Sequence, residues 1–160
     1  MALSDGEFSL WDDHRCEIAW RADGRYYAVS SFEMSKQENG SAKHVRRLRT
    51  FTGSGNIYAT LKSSFNLEPG ICWHPKLNLI ALSRRRSDRG LDIVFFELNC
   101  QLHGEFSLFP DLTGEVPYYI EVIKFNQTGD LLAVLSLHTT YAGACSSKLT
   151  KNFEFWLRVN

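Results

Sequence analysis

Three observations in the sequence predict an all-β fold made of repeated four-stranded antiparallel units. The first is an internal repeat. Ile18-Ala19-Trp20 with Tyr26-Tyr27-Ala28-Val29-Ser30, Ile71-Cys72-Trp73 with Leu79-Ile80-Ala81-Leu82-Ser83, and Val122-Ile123-Lys124-Phe125 with Leu131-Leu132-Ala133-Val134 share one layout, an aromatic residue eight positions before an alanine. Trp73 follows Trp20 by 53 residues and Phe125 follows Trp73 by 52. A fixed period of this size marks a repeat architecture. The second observation is punctuation. Ala22-Asp23-Gly24, His74-Pro75-Lys76-Leu77-Asn78 and Asn126-Gln127-Thr128-Gly129 put turn formers at matching places. The third is the lack of any helical apolar period over a window of about 11 residues. Together they predict about three four-stranded antiparallel blades of a WD40-like β-propeller, a partial propeller.

The elements follow in order. Residues 1–16 read as an N-terminal tail or the end of a preceding blade, with Glu7-Phe8-Ser9-Leu10-Trp11 as the tail of that blade. Residues 17–66 form a blade with strands near 17–22, 26–32, 45–51 and 56–62. Residues 67–116 form the next, with strands near 70–74, 78–83, 92–97 and 101–108. Residues 117–160 form an incomplete blade, with strands near 120–126, 130–137 and 152–158. Phe51, Phe96 and Trp156 occupy the third-strand place where a WD repeat carries its tryptophan. The repeated alanine is expected where strands crowd near the propeller axis. Trp20, Trp73, Trp156 and the phenylalanines are expected in the core between blades.

The repeat is longer than the ~40–45 residues of a WD repeat. The surplus falls between second and third strands, at 33–44, 84–91 and 139–151. These stretches are polar or charged and read as long loops on one rim of the disc. A kelch repeat has a similar length, but its Gly-Gly pair is absent. Known rings use about four to eight blades, so three do not close. Open strand edges favour aggregation. The chain is therefore expected to be a fragment of a longer one, and aggregation-prone alone.

Composition bounds the function. With 160 residues, 44% hydrophobic and 13% aromatic, the chain reads as globular. Apolar runs such as 131–134 are far too short for a bilayer. The N-terminus has no basic and apolar leader, so a cytoplasmic location, extending to the nucleus, is expected. Cys16, Cys72, Cys100 and Cys145 lie far apart, outside zinc or redox spacing, and are expected as free thiols. His14, His44, His74, His103 and His138 have no metal-ligand spacing and are expected to be structural. Gly53-Ser54-Gly55 lacks the strand–turn–helix context of a nucleophile elbow and the lysine of a phosphate loop, and reads as a hairpin. No catalytic residue, metal or cofactor is expected, and neither a membrane nor a small-molecule substrate.

Basic residues cluster in the surplus stretches. Lys43, His44, Arg46, Arg47 and Arg49 mark the first, Arg84, Arg85, Arg86 and Arg89 the second, and Lys148 and Lys151 flank the third. Three readings stand side by side: solvated loops or local pairing with Glu33, Asp88 and Asp92; an acidic protein partner; or RNA phosphates. The candidate partner or RNA contacts are Arg84, Arg85, Arg86, Arg89, Lys43, Arg46 and Arg47. The formal net charge of zero argues against a dedicated nucleic-acid module.

Certain runs are more specific than the WD pattern. They are Trp11-Asp12-Asp13-His14-Arg15, the repeat around Trp20 and Asp23-Gly24, Leu67-Glu68-Pro69-Gly70 leading into Trp73 and Pro75, and Asp92-Ile93-Val94-Phe95-Phe96-Glu97-Leu98-Asn99 followed by Leu102-His103-Gly104 and Phe106. Over nearly its whole length, about residues 11–159, the chain resembles the N-terminal propeller of the largest subunit of the Elongator complex. That resemblance implies a non-catalytic scaffold role in modifying the wobble uridine of certain tRNAs, with catalysis on a separate radical-SAM/acetyltransferase subunit. It implies other complex subunits as partners, and tRNA through the assembled complex. The sequence departs from the family pattern in lacking further blades, a second propeller and a helical C-terminal region, and in its own stretches at 36–44 and 139–148. An adaptor of an unrelated complex, or part of a propeller enzyme, are the alternative readings.

Overall fold

The structure is a computed structural model that describes residues 15–36, 40, 42–62, 65–86, 90–108, 118–142 and 146–158. It contains eleven strands, and no helix among the described residues. The first sheet has the order β1 (Glu17–Trp20), β2 (Tyr26–Lys36), β3 (Ala42–Thr52) and β4 (Ile57–Thr60). The middle sheet has the order β5 (Leu67–Trp73), β6 (Leu79–Arg85), β7 (Leu91–Glu97) and β8 (Leu102–Ser107). The third is three-stranded, with β9 (Tyr118–Phe125), β10 (Leu131–Ala142) and β11 (Ser146–Arg158). Every pairing is antiparallel between strands adjacent in sequence. This is the partial β-propeller that the repeat predicts.

Each first turn is closed differently. Asp23 Oδ1 accepts the Arg25 N–H at 3.0 Å. His74 Nδ1 accepts the N–H groups of Lys76 and Leu77 at 3.0 and 2.9 Å. Asn126 Oδ1 accepts those of Gly129 and Leu131 at 2.9 and 3.1 Å. An aspartate, a histidine and an asparagine thus do one job, because each offers an acceptor within reach of its own downstream backbone.

The sheets converge along their first strands, where β1 touches β5 and β5 touches β9. Between the first two sheets, Ala28, Leu48 and Leu61 meet Trp73, Ile80, Leu82, Val94 and Phe96. Between the second and third, Leu79, Ala81, Leu91, Ile93 and Phe95 meet Ile120, Ile123, Leu132 and Val134. The middle sheet is therefore covered on both faces. Its central strands are buried almost continuously instead of alternately. Burying a side chain such as Phe96 contributes about 1.5–3 kcal/mol by transfer alone.

The repeated alanine is placed differently from expectation. It lies on the second strand, one strand out from the line where the sheets converge. Ala28 and Ala81 are fully buried against the bulky row of the following sheet. A small residue there leaves room for a neighbour's aromatic ring at close packing.

The surplus residues also correct the sequence reading. They do not form long loops. β2 and β3 stay paired from Tyr26↔Thr52 out to Lys36↔Ala42, and β10 and β11 as far as Ala142↔Ser146. A polar stretch extends a hairpin as readily as a loop when cross-strand ion pairs replace apolar contacts. In the middle sheet the extension is short: β6 ends at Arg85 and β7 starts at Leu91.

Two glycine-dependent contacts bind the sheets together. Gly70 (φ +109°) sits in a bulge of β5 beside Pro69. Its N–H donates to Glu17 Oε2 at 2.6 Å, joining the first strands of adjacent sheets. A proline in mid-strand is tolerated there because a bulge drops a ladder bond. Gly129 (φ +85°) brings its carbonyl within 3.0 Å of His74 Nε2, and a Cβ at Gly129 would lie 2.3 Å from the imidazole.

Candidate interaction surface

The arginine-rich stretches are held inside the blades. In the first sheet Arg47 and Arg49 on β3 clamp the Glu33 carboxylate on β2. Arg47 also donates to the Leu61 carbonyl at 2.6 Å, and Arg49 to Ser31 Oγ at 3.1 Å. Partial burial alone would raise the pKa of Glu33, but hydrogen bonds and charge from Arg49 and Arg47 outweigh it and hold the carboxyl below 4.5.

The middle sheet carries the same device with the signs exchanged. Asp92 on β7 is gripped by Arg84, by Arg86 at 3.2 Å and by the Ser107 hydroxyl at 2.8 Å. Arg86 also reaches Ser107 Oγ at 2.6 Å, and Arg84 reaches Glu105 at 3.0 Å. A shift of 53 carries Tyr27 onto Ile80 and Glu33 onto Arg86; a shift of 45 carries Phe51 onto Phe96 and Arg47 onto Asp92. The pair Glu33–Arg47 is therefore equivalent to Arg86–Asp92, with acid and base interchanged. Burial disfavours the Arg84 cation, but the hydrogen bond and charge of Asp92 and the charge of Glu105 outweigh it and hold the guanidinium above its ordinary pKa.

The remaining candidate contacts sit as follows. Arg85 leaves the opposite face of β6 and forms a fork with both oxygens of buried Glu68, one arm at 2.9 Å. Arg46 is buried and donates to the carbonyls of Arg15 at 3.0 Å and Ser30 at 3.3 Å, 4.0 Å from Glu17. Lys43 lies on β3 opposite Ser35, and its side chain is outside the described residues. Arg89, Asp88 and Cys145 are also outside them. The sequence names the local partners Glu33 and Asp92 correctly. It does not reveal Glu68, Glu105 or Ser107, which lie on other strands and are brought in by pairing register.

Among the described residues no group of three His, Cys, Asp or Glu side chains is placed to hold a metal ion. No helix there is long and apolar enough to cross a membrane. Cys72 is pushed up to about 12 by burial, which leaves its thiol protonated and a poor nucleophile at neutral pH.

Trp20, which the sequence reading assigned to the core, is exposed. Trp20, Tyr27, Phe51 and Ile57 are cross-strand partners in succession and form one row over all four strands of the first sheet. Trp20 and Tyr27 have ring centroids 4.7 Å apart, and Tyr27 stacks on Phe51 at 5.0 Å. Trp20 is 55% exposed, whereas its repeat-mate Trp73 is 7% exposed.

Comparisons with known proteins place this arrangement. The family model described as ELP1 first N-terminal beta-propeller matches residues 1–159. "Elongator complex protein 1" of Saccharomyces cerevisiae is 30% identical over 162 residues, covering 98% of this chain and 11% of the relative. "Elongator complex protein 1" of Rattus norvegicus is 36% identical over 146 residues, covering 91% of this chain and 10% of the relative. "Putative elongator complex protein 1" of Xenopus laevis is 33% identical over 124 residues, covering 78% and 10%. The chain thus spans about a tenth of the length of these relatives. A repeat of antiparallel four-stranded sheets and a family match over nearly every residue agree, and the chain belongs to the ELP1 first N-terminal beta-propeller family.

Proposed function

We propose that this chain is a non-catalytic scaffold segment of an Elongator-like complex that acts in tRNA wobble-uridine modification, in the cytoplasm and also the nucleus. Its partners are the other subunits, and tRNA through the assembled complex. Membership of the family, with relatives named for the Elongator complex, supports the assembly. The observation that carries the scaffold reading is how the polar groups are spent. Glu33 and Asp92 are each held by two arginines of the same sheet and Glu68 by one, so these charges fix strand register instead of forming a reactive centre.

The test uses the full-length protein in cells lacking their own copy. Ile80→Asp with Phe96→Asp puts carboxylates into the core between the first two sheets. Loss of co-purifying subunits together with a several-fold fall in wobble-uridine modification is the expected result. Normal modification despite a proteolytically unfolded propeller would overturn the proposal. Replacing Arg84, Arg85, Arg86 and Arg89 by Ala separates RNA from protein contact. Direct RNA contact predicts weaker tRNA binding with a flatter salt dependence. A purely structural role predicts loss of stability with the salt slope unchanged.

A further inference from the structure

The two seams between sheets are tied by different chemistry. In the first, the Gly70 N–H donates to Glu17 Oε2 at 2.6 Å, and Thr50 Oγ1 donates to the Leu98 carbonyl at 2.8 Å. In the second, His74 reaches across from the turn between β5 and β6, where it is buried. Its Nδ1 accepts the backbone N–H groups of Lys76 and Leu77 and therefore carries no proton. The proton of the neutral ring sits on Nε2, which donates to the Gly129 carbonyl at 3.0 Å. Phe125 packs on the ring with centroids 4.8 Å apart, and any side chain at Gly129 would collide with it. Each polar contact of this imidazole needs the neutral form. A second proton would fall on Nδ1, directly against two N–H donors, and would break the turn that aims the ring at Gly129.

We propose that His74 is a proton-operated latch, whose protonation loosens the third sheet from the second while the first seam stays closed. The surroundings offer the imidazolium no counter-charge. The charged residues on the elements around it are Lys76 on its own turn, Glu97 on β7, and Lys124 and Asp130 on the third sheet. Glu97 is paired with His103 at 3.3 Å, and Asp130 accepts from the Asn126 amide at 2.7 Å; neither bonds to His74. Burial disfavours the cation most, Lys76 adds to it, and together they outweigh the Gly129 carbonyl and hold His74 below 6.5. The opened seam thus binds the proton more readily than the closed one. Closure is fully favoured above pH 6.5 and is lost as pH falls through the lowered value of the closed state. Imidazole is the side chain that ordinarily changes charge in this range, and the ties of the first seam contain none. The other histidines among the described residues, His44 and His103, are exposed.

Two cysteines report the seams separately. Cys72 lies in the second seam, bonded to the Phe125 backbone, and Cys100 lies in the first, bonded to Thr50. The test labels the full-length protein with 4,4′-dithiodipyridine, a disulfide that reacts with thiols in mild acid as well as at neutrality. Labelling runs from about pH 7.5 to about pH 5, across the imidazole range, and peptide mapping reads each site. The expected result is a several-fold rise in the ratio of Cys72 to Cys100 labelling on acidification. His74→Gln keeps a donor for Gly129, and His74→Asn keeps an acceptor for the turn, as Asn126 does in the third sheet. Neither side chain titrates, so the ratio stays flat with pH in both. A wild-type ratio independent of pH, whether both sites stay protected or both open together, would overturn the proposal. So would a pH step that survives in either variant.

Discussion

Two equivalent sheets in this chain live in unlike surroundings. The middle sheet is sandwiched, and its row Trp73-Ile80-Phe96 is buried. The first sheet has the same row in the same register, and there Trp20 is exposed while Tyr27 and Phe51 are only half-buried. The ion-pair clamps follow the same division: Asp92 is 2% exposed, whereas Glu33 is only half-buried. Sequence equivalence therefore sets which residues form a row, while the neighbouring sheet sets what that row contributes.

The largest expected difference tests this directly. Phe96→Ala should destabilise the chain by about 3–5 kcal/mol, since it opens a cavity in a covered seam. Phe51→Ala, at a half-buried place in the first sheet, should cost well under half of that. Denaturant unfolding of the two variants measures it; equal costs would break the comparison.

The clamps come next. Asp92→Ala leaves Arg84 and Arg86 partly buried without their carboxylate, at a cost of about 3 kcal/mol. Glu33→Ala in the less covered first sheet should cost about 1 kcal/mol. A double-mutant cycle of Glu33 with Arg47, set beside one of Asp92 with Arg86, gives the two coupling energies.

A smaller effect lies in the pH dependence. Burial lowers the pKa of His74 below 6.5; its bond to the Gly129 carbonyl opposes this and Lys76 reinforces it. The unfolded chain then binds the proton more readily than the folded one. Stability should be fully present above pH 6.5 and be lost as pH falls through the folded value. His74→Gln should abolish that step. Glu33, also held low, adds a separate loss below pH 4.5, which Glu33→Gln removes. Thermal melts from pH 8 to 2 resolve both steps.

Thiol labelling should show the least costly contrast. Cys16, at the edge of the first sheet, is exposed, and Cys72 and Cys100 are held in the covered seams. A maleimide should modify Cys16 in the folded protein, and Cys72 and Cys100 at a rate limited by unfolding, with each site read by peptide mapping. Equal rates would mean that the seams open freely.

The sequence by itself determined the strands, their turns and their grouping. The aromatic-to-alanine spacing, Asp23-Gly24 and Asn126 to Gly129 are local signals, and each acts within one hairpin. It also offered Glu33 and Asp92 as local partners of the arginines, as one of three readings, because both lie in or beside the basic stretches. Only the tertiary structure decided that the polar surplus residues extend hairpins, that Arg85 serves Glu68, and that His74 reaches Gly129. These depend on cross-strand register and on the sheet alongside, which no local spacing encodes. Trp20 and Trp73 make the point in one residue type: the same place in the repeat is open in one sheet and sealed in the next, because burial belongs to the neighbour and not to the residue.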